Sequence, residues 1–100
     1  MTHKDYAAWA ETIHSQATTG DRDRLLAYLG LGLTSEAGEV ASEIKKLLRD
    51  GTWNADAIAA ELGDVAYHWI RLVTALGRKP EEILAASRAK IDAKVKAARG

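Results

Sequence analysis

The sequence contains no cysteine, no phenylalanine and only one proline among its 100 residues. Without cysteine, the chain has no disulfide scaffold, no thiolate nucleophile and no zinc site with cysteine ligands. No apolar run approaches the roughly 20 residues that a membrane span requires. The opening segment, MTHKDYAAW, also lacks the apolar centre of a signal peptide. These absences favour a soluble, cytoplasmic protein without a membrane partner.

An excess of charge of either sign is also missing, because fourteen basic and fourteen acidic side chains cancel. Proteins that bind nucleic acid usually carry a basic excess, so we expect no nucleic-acid partner. The hydrophobic share is 47%, yet nineteen of these residues are alanine and only twenty-one are leucine, isoleucine or valine. This composition predicts a single domain over residues 1–100 with a thin core, stabilised by a partner chain.

The residue types that dominate the chain are strong helix formers, and no segment shows the alternation typical of a strand. Four helices are predicted, over residues 5–17, 21–50, 54–76 and 80–98. Asp21 and Asn54 are the expected N-caps, Pro80 suits a first turn, and Gly51 and Gly77 are the expected stops. A break at residues 18–20 ends the first helix, and Gly30 and Gly32 predict a kink in the second. Four helices joined by short turns predict an all-α antiparallel four-helix bundle.

Two short segments share the pattern Glu-x-Gly-acid-Val-Ala, at residues 36–41 and 61–66. At about 100° per residue, Glu36, Glu39 and Glu43 fall within about a 60° arc of the second helix. Glu61 and Asp64 border the apolar stripe of the third helix in the same sense, with His68 between them. The expected core stripes are Leu33, Val40, Ile44 and Leu47 on the second helix, and Ile58, Val65, Trp69, Leu72 and Leu76 on the third.

If the two helices pack side by side, the four carboxylates of Glu36, Glu39, Glu61 and Asp64 converge in one cleft. Carboxylates held close together raise each other's pKa or require a cation. An all-oxygen ligand set suits Mg²⁺, Mn²⁺ or Ca²⁺, and Mg²⁺ held in this way commonly binds phosphates. Gly38 and Gly63 each lower helix stability by about 1 kcal/mol relative to alanine. A close approach of the two helices or a bound ligand would explain why glycine is tolerated at these positions. The simpler alternative to a cation site is that the carboxylates of a Glu-x-x-Glu pattern lie on a solvent-exposed helix face and form salt bridges.

The segments LGLTSEAGEVASEIKK and ELGDVAYHW resemble the MazG-like all-α nucleotide pyrophosphohydrolases. The family signature, Glu-Glu-x-x-Glu and then Glu-x-x-Asp, corresponds to residues 35–39 and, after a gap of 21 residues, 61–64. The resemblance covers residues 29–94. It implies that Glu36, Glu39, Glu61 and Asp64 are the catalytic residues and hold Mg²⁺, with Mn²⁺ as a substitute.

The same resemblance implies the reaction and its setting. A nucleoside triphosphate, with dNTP favoured, is cleaved between the α and β phosphates into a monophosphate and pyrophosphate. The expected role is cleansing of the nucleotide pool, and the expected assembly is a homodimer or homotetramer.

The sequence departs from the family pattern at two places. Ser35 stands where the signature has its first Glu, which leaves open whether a cation-bound water or a carboxylate acts as the base. The family's phosphate-contacting Asn-x-x-Lys-Leu-x-x-Arg corresponds to residues 87–94, in which Lys90 is retained and Lys94 replaces arginine. Lys46 and His68 are further candidates for binding substrate, against the simpler interpretations of a solvated lysine and a packed histidine.

Two other functions remain open. Ala66-Tyr67-His68 after the acidic motif resembles the Tyr-His of phosphoribosyl-ATP pyrophosphohydrolase of histidine biosynthesis. The other alternative is a non-catalytic, dimeric helical interaction module in which the carboxylates only aid solubility. Tyr6, Trp9 and Ile13 either bury the first helix or stack on a base.

Overall fold

The computed structural model describes residues 1–13 and 21–100, which form four helices and no strand. The helices are α1 (His3–Ala10), α2 (Arg22–Asp50), α3 (Ala55–Ala75) and α4 (Pro80–Arg99). The all-α prediction is therefore confirmed for the described part of the chain. None of these helices has a stretch long and apolar enough to cross a bilayer.

The predicted starts of α2, α3 and α4 and the predicted stops at Gly51 and Gly77 are confirmed by the structure. The side chain of Asp21 accepts hydrogen bonds from two backbone N–H groups at the start of α2, and Asn54 accepts one at the start of α3. Gly51 ends α2 in the left-handed region, at φ 72°. Pro80 occupies the first turn of α4. These signals are local in sequence, so they are readable without knowledge of the packing.

The predicted first helix, over residues 5–17, is wrong at its start and over residues 11–13. α1 begins at His3, two residues earlier than predicted, and Thr2 caps it through a reciprocal pair of hydrogen bonds with Asp5. The helix ends at Ala10, and residues 14–20, with the predicted break, lie outside the described residues. α2 continues as one helix through Gly30 and Gly32, the positions at which the sequence predicted a kink.

α2 and α3 pack along each other as a hairpin, while α1 packs against α3 and against α4. Among the described residues, no packing links α2 to α4. The fully buried apolar residues are Ala10, Leu29, Ile70 and Val73. The core therefore lies around the second half of α3, where α1 and the first part of α2 pack against it. Of the predicted stripes, Ile44, Leu47 and Leu76 are exposed, so these three residues do not belong to the core.

The chain is more extended than a compact domain of its length. Its radius of gyration is 16.5 Å, against about 13 Å expected for 100 residues. From Leu84 onward every residue of α4 is exposed. The thin core that the composition predicts thus leaves most of one helix without a covering layer.

Candidate functional site

Three carboxylates from two helices meet on one side of the α2–α3 hairpin. Glu36 of α2 and Glu61 and Asp64 of α3 each offer an oxygen, and these oxygens all lie within 4.8 Å of one another. We call these three residues the acidic cluster. Glu36 and Glu61 are half-buried and Asp64 is exposed. The structure therefore brings together three of the four carboxylates that the sequence predicted as ligands.

The acidic cluster is electrostatically unfavourable in the protein alone. Burial raises the pKa of Glu61, and the negative charges of Asp64, Glu39, Glu36 and Glu43 raise it further. None of the ion pairs formed among the described residues involves a carboxylate of the cluster. A positive ligand would relieve this repulsion, and a protonated Glu61 would reduce it.

Glu39, the fourth predicted ligand, lies outside the group of three. It is exposed, yet its charge acts on Glu61, so it lies beside the acidic cluster. Glu43 accepts a hydrogen bond from Lys46 Nζ at 2.8 Å, in an ion pair between successive turns of α2. Lys46, a predicted phosphate ligand, is therefore engaged with Glu43.

His68 lies between the two helices rather than among the carboxylates. Its Nδ1 lies 3.0 Å from the backbone oxygen of Asp64, to which it donates as the protonated ring nitrogen. The other edge of the ring faces Gly32, where an added Cβ would overlap Cδ2 and lie 2.5 Å from Nε2. The structure thus places His68 in a packing position.

Gly38 and Gly63, the glycines of the repeated motif, do not permit a close approach of the two helices as Gly32 does. An added Cβ at Gly38 or Gly63 would meet no atom within 4 Å. A close helix approach is therefore the wrong explanation for these two residues, and a bound ligand is the one that stays open. The glycine that does permit a close approach is Gly32.

Aromatic rings extend from α1 to α3 beside the acidic cluster. The ring centroids are 5.3 Å apart for Tyr6 and Trp9, 6.1 Å for Trp9 and Tyr67, and 5.4 Å for Tyr67 and His68. Burial raises the pKa of Tyr6, and the nearby Tyr67 and Asp64 raise it further. Trp9 is 50% exposed in spite of its two ring contacts. α1 thus places a phenol within electrostatic range of the cluster and leaves part of an indole open to solvent.

Arg71 is a structural residue that the sequence did not reveal. It is 9% exposed, and one of its terminal nitrogens donates to the backbone oxygen of Ile13 at 3.2 Å and to the Tyr67 hydroxyl at 3.0 Å. Its Nε lies 3.7 Å from a carboxylate oxygen of Glu11 and has no hydrogen-bond partner among the described residues. Arg71 therefore joins the end of α1 to α3, next to the aromatic rings.

The predicted phosphate ligands Lys90 and Lys94 are not brought to the acidic cluster within one chain. Both are exposed on the part of α4 beyond Leu84. The described packing connects α4 to α1 and α3 but not to α2.

Comparison with known proteins gives little further information about the site. No protein-family model matches the chain, and no solved structure matches it. Over 64 residues the chain is 42% identical to a "Gene 37 protein" of Mycobacterium phage L5, a match that covers 57% of this chain and 56% of the phage protein. The chain is thus similar to a phage protein over about half the length of each.

Proposed function

We propose that this chain is a divalent-cation-dependent nucleoside triphosphate pyrophosphohydrolase of the MazG-like kind. Its reaction is cleavage of (d)NTP to (d)NMP and pyrophosphate. The observation that supports this most is the acidic cluster, in which oxygens of Glu36, Glu61 and Asp64 lie within 4.8 Å of one another. The same three positions match the two halves of the family signature, on two helices that are separated in sequence.

The donor set fits a hard cation. All three side chains offer oxygen, the donor that Mg²⁺ and Mn²⁺ prefer. Ligands on opposite sides of Mg²⁺ are about 4.2 Å apart. The oxygens of the cluster all lie within 4.8 Å of one another, so no pair of them exceeds that span by more than about 0.6 Å. A bound cation would neutralise phosphate charge and lower the pKa of a coordinated water.

The proposal gives the residues of the acidic cluster and those beside it different roles. Glu36, Glu61 and Asp64 hold the cation. Glu39 lies outside the group of three and is exposed, and we assign to it the removal of the proton from the attacking water. With this role Glu39 would supply the base at a site where Ser35 replaces the first Glu of the family signature. The open part of Trp9 offers a surface on which a base can stack.

The biological setting follows from the resemblance alone. It supports a dNTP-preferring enzyme that cleanses the nucleotide pool in the cytoplasm and assembles as a homodimer or homotetramer. In such an assembly the phosphate-binding lysines Lys90 and Lys94 come from a neighbouring copy.

The test is pyrophosphate release from a dNTP in the presence of Mg²⁺. Glu36→Gln, Glu61→Gln and Asp64→Asn are expected to lose both turnover and Mg²⁺ binding. Glu39→Gln is expected to retain Mg²⁺ binding and to lose about 10²–10⁴-fold in turnover, as for removal of a general base. Glu82→Gln, an exposed carboxylate on α4, is the matched control and should keep full activity.

Full activity of both Glu61→Gln and Asp64→Asn would overturn the proposal. Turnover of phosphoribosyl-ATP alone would favour the histidine-biosynthesis alternative. Folded protein with neither turnover nor a Mg²⁺-dependent change in stability would favour the interaction module.

A further inference from the structure

The outer part of α4 presents an apolar stripe that nothing in the described chain covers. Leu84, Ile91 and Val95 are 41%, 55% and 40% exposed. Their spacing of seven and then four residues places them within about a 40° arc of the helix. We call these three residues the α4 stripe. A helix of 20 residues with such a stripe is stable when a second surface buries it.

The chain exposes more surface than a compact monomer of its mass, enough to accommodate such a partner. Its accessible area is 7459 Å². A folded monomer of 10.8 kDa is expected to expose about 5,500 Å². The excess, about 1,900 Å², is more than the roughly 800 Å² per partner that a stable interface buries.

The charges beside the α4 stripe are arranged symmetrically along the helix. Glu81, Arg88, Asp92 and Arg99 share one flank, within about a 40° arc. Glu81 and Arg99 are equally distant in sequence from Lys90, and so are Arg88 and Asp92. Each acidic side chain therefore has a basic counterpart at the mirrored position. Within one chain only Arg88 and Asp92 come close, with 3.9 Å between Nε and Oδ2.

We infer that a second copy of this chain covers the α4 stripe, with the two α4 helices packed antiparallel about a two-fold axis near Lys90. In an antiparallel pair, the same flank of each helix faces the other. Glu81 of one copy then lies beside Arg99 of its partner, and Arg88 beside Asp92. The same register places Leu84 against Val95 and brings the two Ile91 side chains together. The inference is independent of the proposed enzymatic activity.

Engineered cysteines give the first test, since the natural chain has none to interfere. Leu84→Cys and Val95→Cys chains, made separately with tags of different mass and then mixed, are joined with a short bis-maleimide. The antiparallel pair predicts cross-links between the two kinds of chain, and few cross-links between two Leu84→Cys chains. Ala93→Cys, on the opposite face of α4, is the control and should remain uncross-linked.

Sedimentation of charge-reversed variants gives the second test. Glu81→Lys and Arg99→Glu should each weaken the dimer several-fold, and the double variant should regain the affinity of the natural chain. Both changes oppose the helix dipole, so the recovery cannot arise from a more stable helix. Ile91→Asp should weaken the dimer at least about tenfold. Because Ile91 is 55% exposed, this variant should keep its helix content.

Three results would overturn the inference. They are a monomer at all concentrations, a dimer that Ile91→Asp leaves intact, and cross-links that join Leu84→Cys chains to each other. A monomeric Ile91→Asp protein would support the interface whatever its activity. Unaltered pyrophosphate release by that protein would show that Lys90 and Lys94 of a neighbouring copy are not needed, while the role of the acidic cluster would stand.

Discussion

The imidazole of His68 on α3 lies directly against the backbone of Gly32 on α2, where no side chain larger than hydrogen fits. Glu36 follows Gly32 by one turn, and Asp64 precedes His68 by one turn. The Gly32–His68 contact is therefore the next layer of the α2–α3 interface beside the acidic cluster. The distance between the helices at this contact determines how closely the carboxylates approach.

Enlarging Gly32 should separate the helices. Gly32→Ala is expected to lower both the free energy of unfolding and Mg²⁺ affinity, because the new Cβ overlaps the ring of His68. Gly38→Ala is the matched control and should stabilise α2 by up to about 1 kcal/mol, since its Cβ enters open space. In a His68→Ala background, Gly32→Ala should change from destabilising to stabilising. Urea denaturation of the four variants measures this, and a Gly32→Ala cost unchanged by removal of the ring would contradict the contact.

Neutralising Glu61 should stabilise the cation-free protein. The pKa of Glu61 in the folded state is raised above its ordinary 4.5. Its contribution to stability is therefore full below the unfolded-state pKa and is lost as the pH rises through the raised value. At neutral pH the charged form opposes folding, so Glu61→Gln should raise the Tm of the cation-free protein, whereas Glu82→Gln should not.

Added Mg²⁺ should make the natural chain more stable than Glu61→Gln, which reverses the order of stability expected without the cation. The natural chain gains about 2.7 kcal/mol at 100 times the dissociation constant, and Glu61→Gln gains little. Thermal unfolding at pH 4 and pH 7, with and without Mg²⁺, measures both effects. A Glu61→Gln variant that is less stable than the natural chain at pH 7 without cation would be evidence against the strained cluster.

The ionisation of Tyr6 should report on Asp64. Burial, Tyr67 and Asp64 hold the pKa of Tyr6 above 10.0. Asp64→Asn removes one of the negative charges, so the phenol should ionise at lower pH. Ultraviolet titration of the natural chain and of Asp64→Asn, each against its Tyr6→Phe counterpart, isolates this phenol from Tyr28 and Tyr67. If Tyr6 ionised at the same pH in the natural chain and in Asp64→Asn, the result would contradict the position of Tyr6, and so of α1, beside the acidic cluster.

Removing Arg71 should detach the end of α1. Arg71→Met loses two hydrogen bonds from a charged donor, and we expect a cost of about 1.5–3 kcal/mol. Arg49→Met is the control, because among the described residues Arg49 pairs with the exposed carboxylate of its neighbour Asp50, and its loss should change stability by less than about 0.5 kcal/mol. In a background in which Trp53 and Trp69 are replaced by phenylalanine, tryptophan emission reports on Trp9, whose contact with Tyr67 depends on α1. Equal stabilities of Arg71→Met and Arg49→Met would show that Arg71 does not hold α1 against α3.

The sequence predicted those features of the fold that local chemistry determines. Asp21, Gly51 and Asn54 act within one turn of themselves, so their capping roles were readable from residue type. The meeting of Glu36 with Glu61 and Asp64 followed from helical periodicity and one assumption, that α2 and α3 are neighbours. Arg71 was not predictable, because a basic residue on a helix is usually exposed. Its burial depends on where α1 lies, which no local signal specifies.

The most direct measurement is pyrophosphate release from a panel of dNTPs, NTPs and phosphoribosyl-ATP, with Mg²⁺ and with a chelator. The account predicts that nucleoside triphosphates, dNTPs foremost, yield a monophosphate and pyrophosphate only when Mg²⁺ is present. It further predicts that Asp64→Asn abolishes the signal while Glu82→Gln retains it. If folded, Mg²⁺-saturated protein released no pyrophosphate from any substrate of the panel, the account would be contradicted. Turnover that persists in the presence of the chelator would also contradict it.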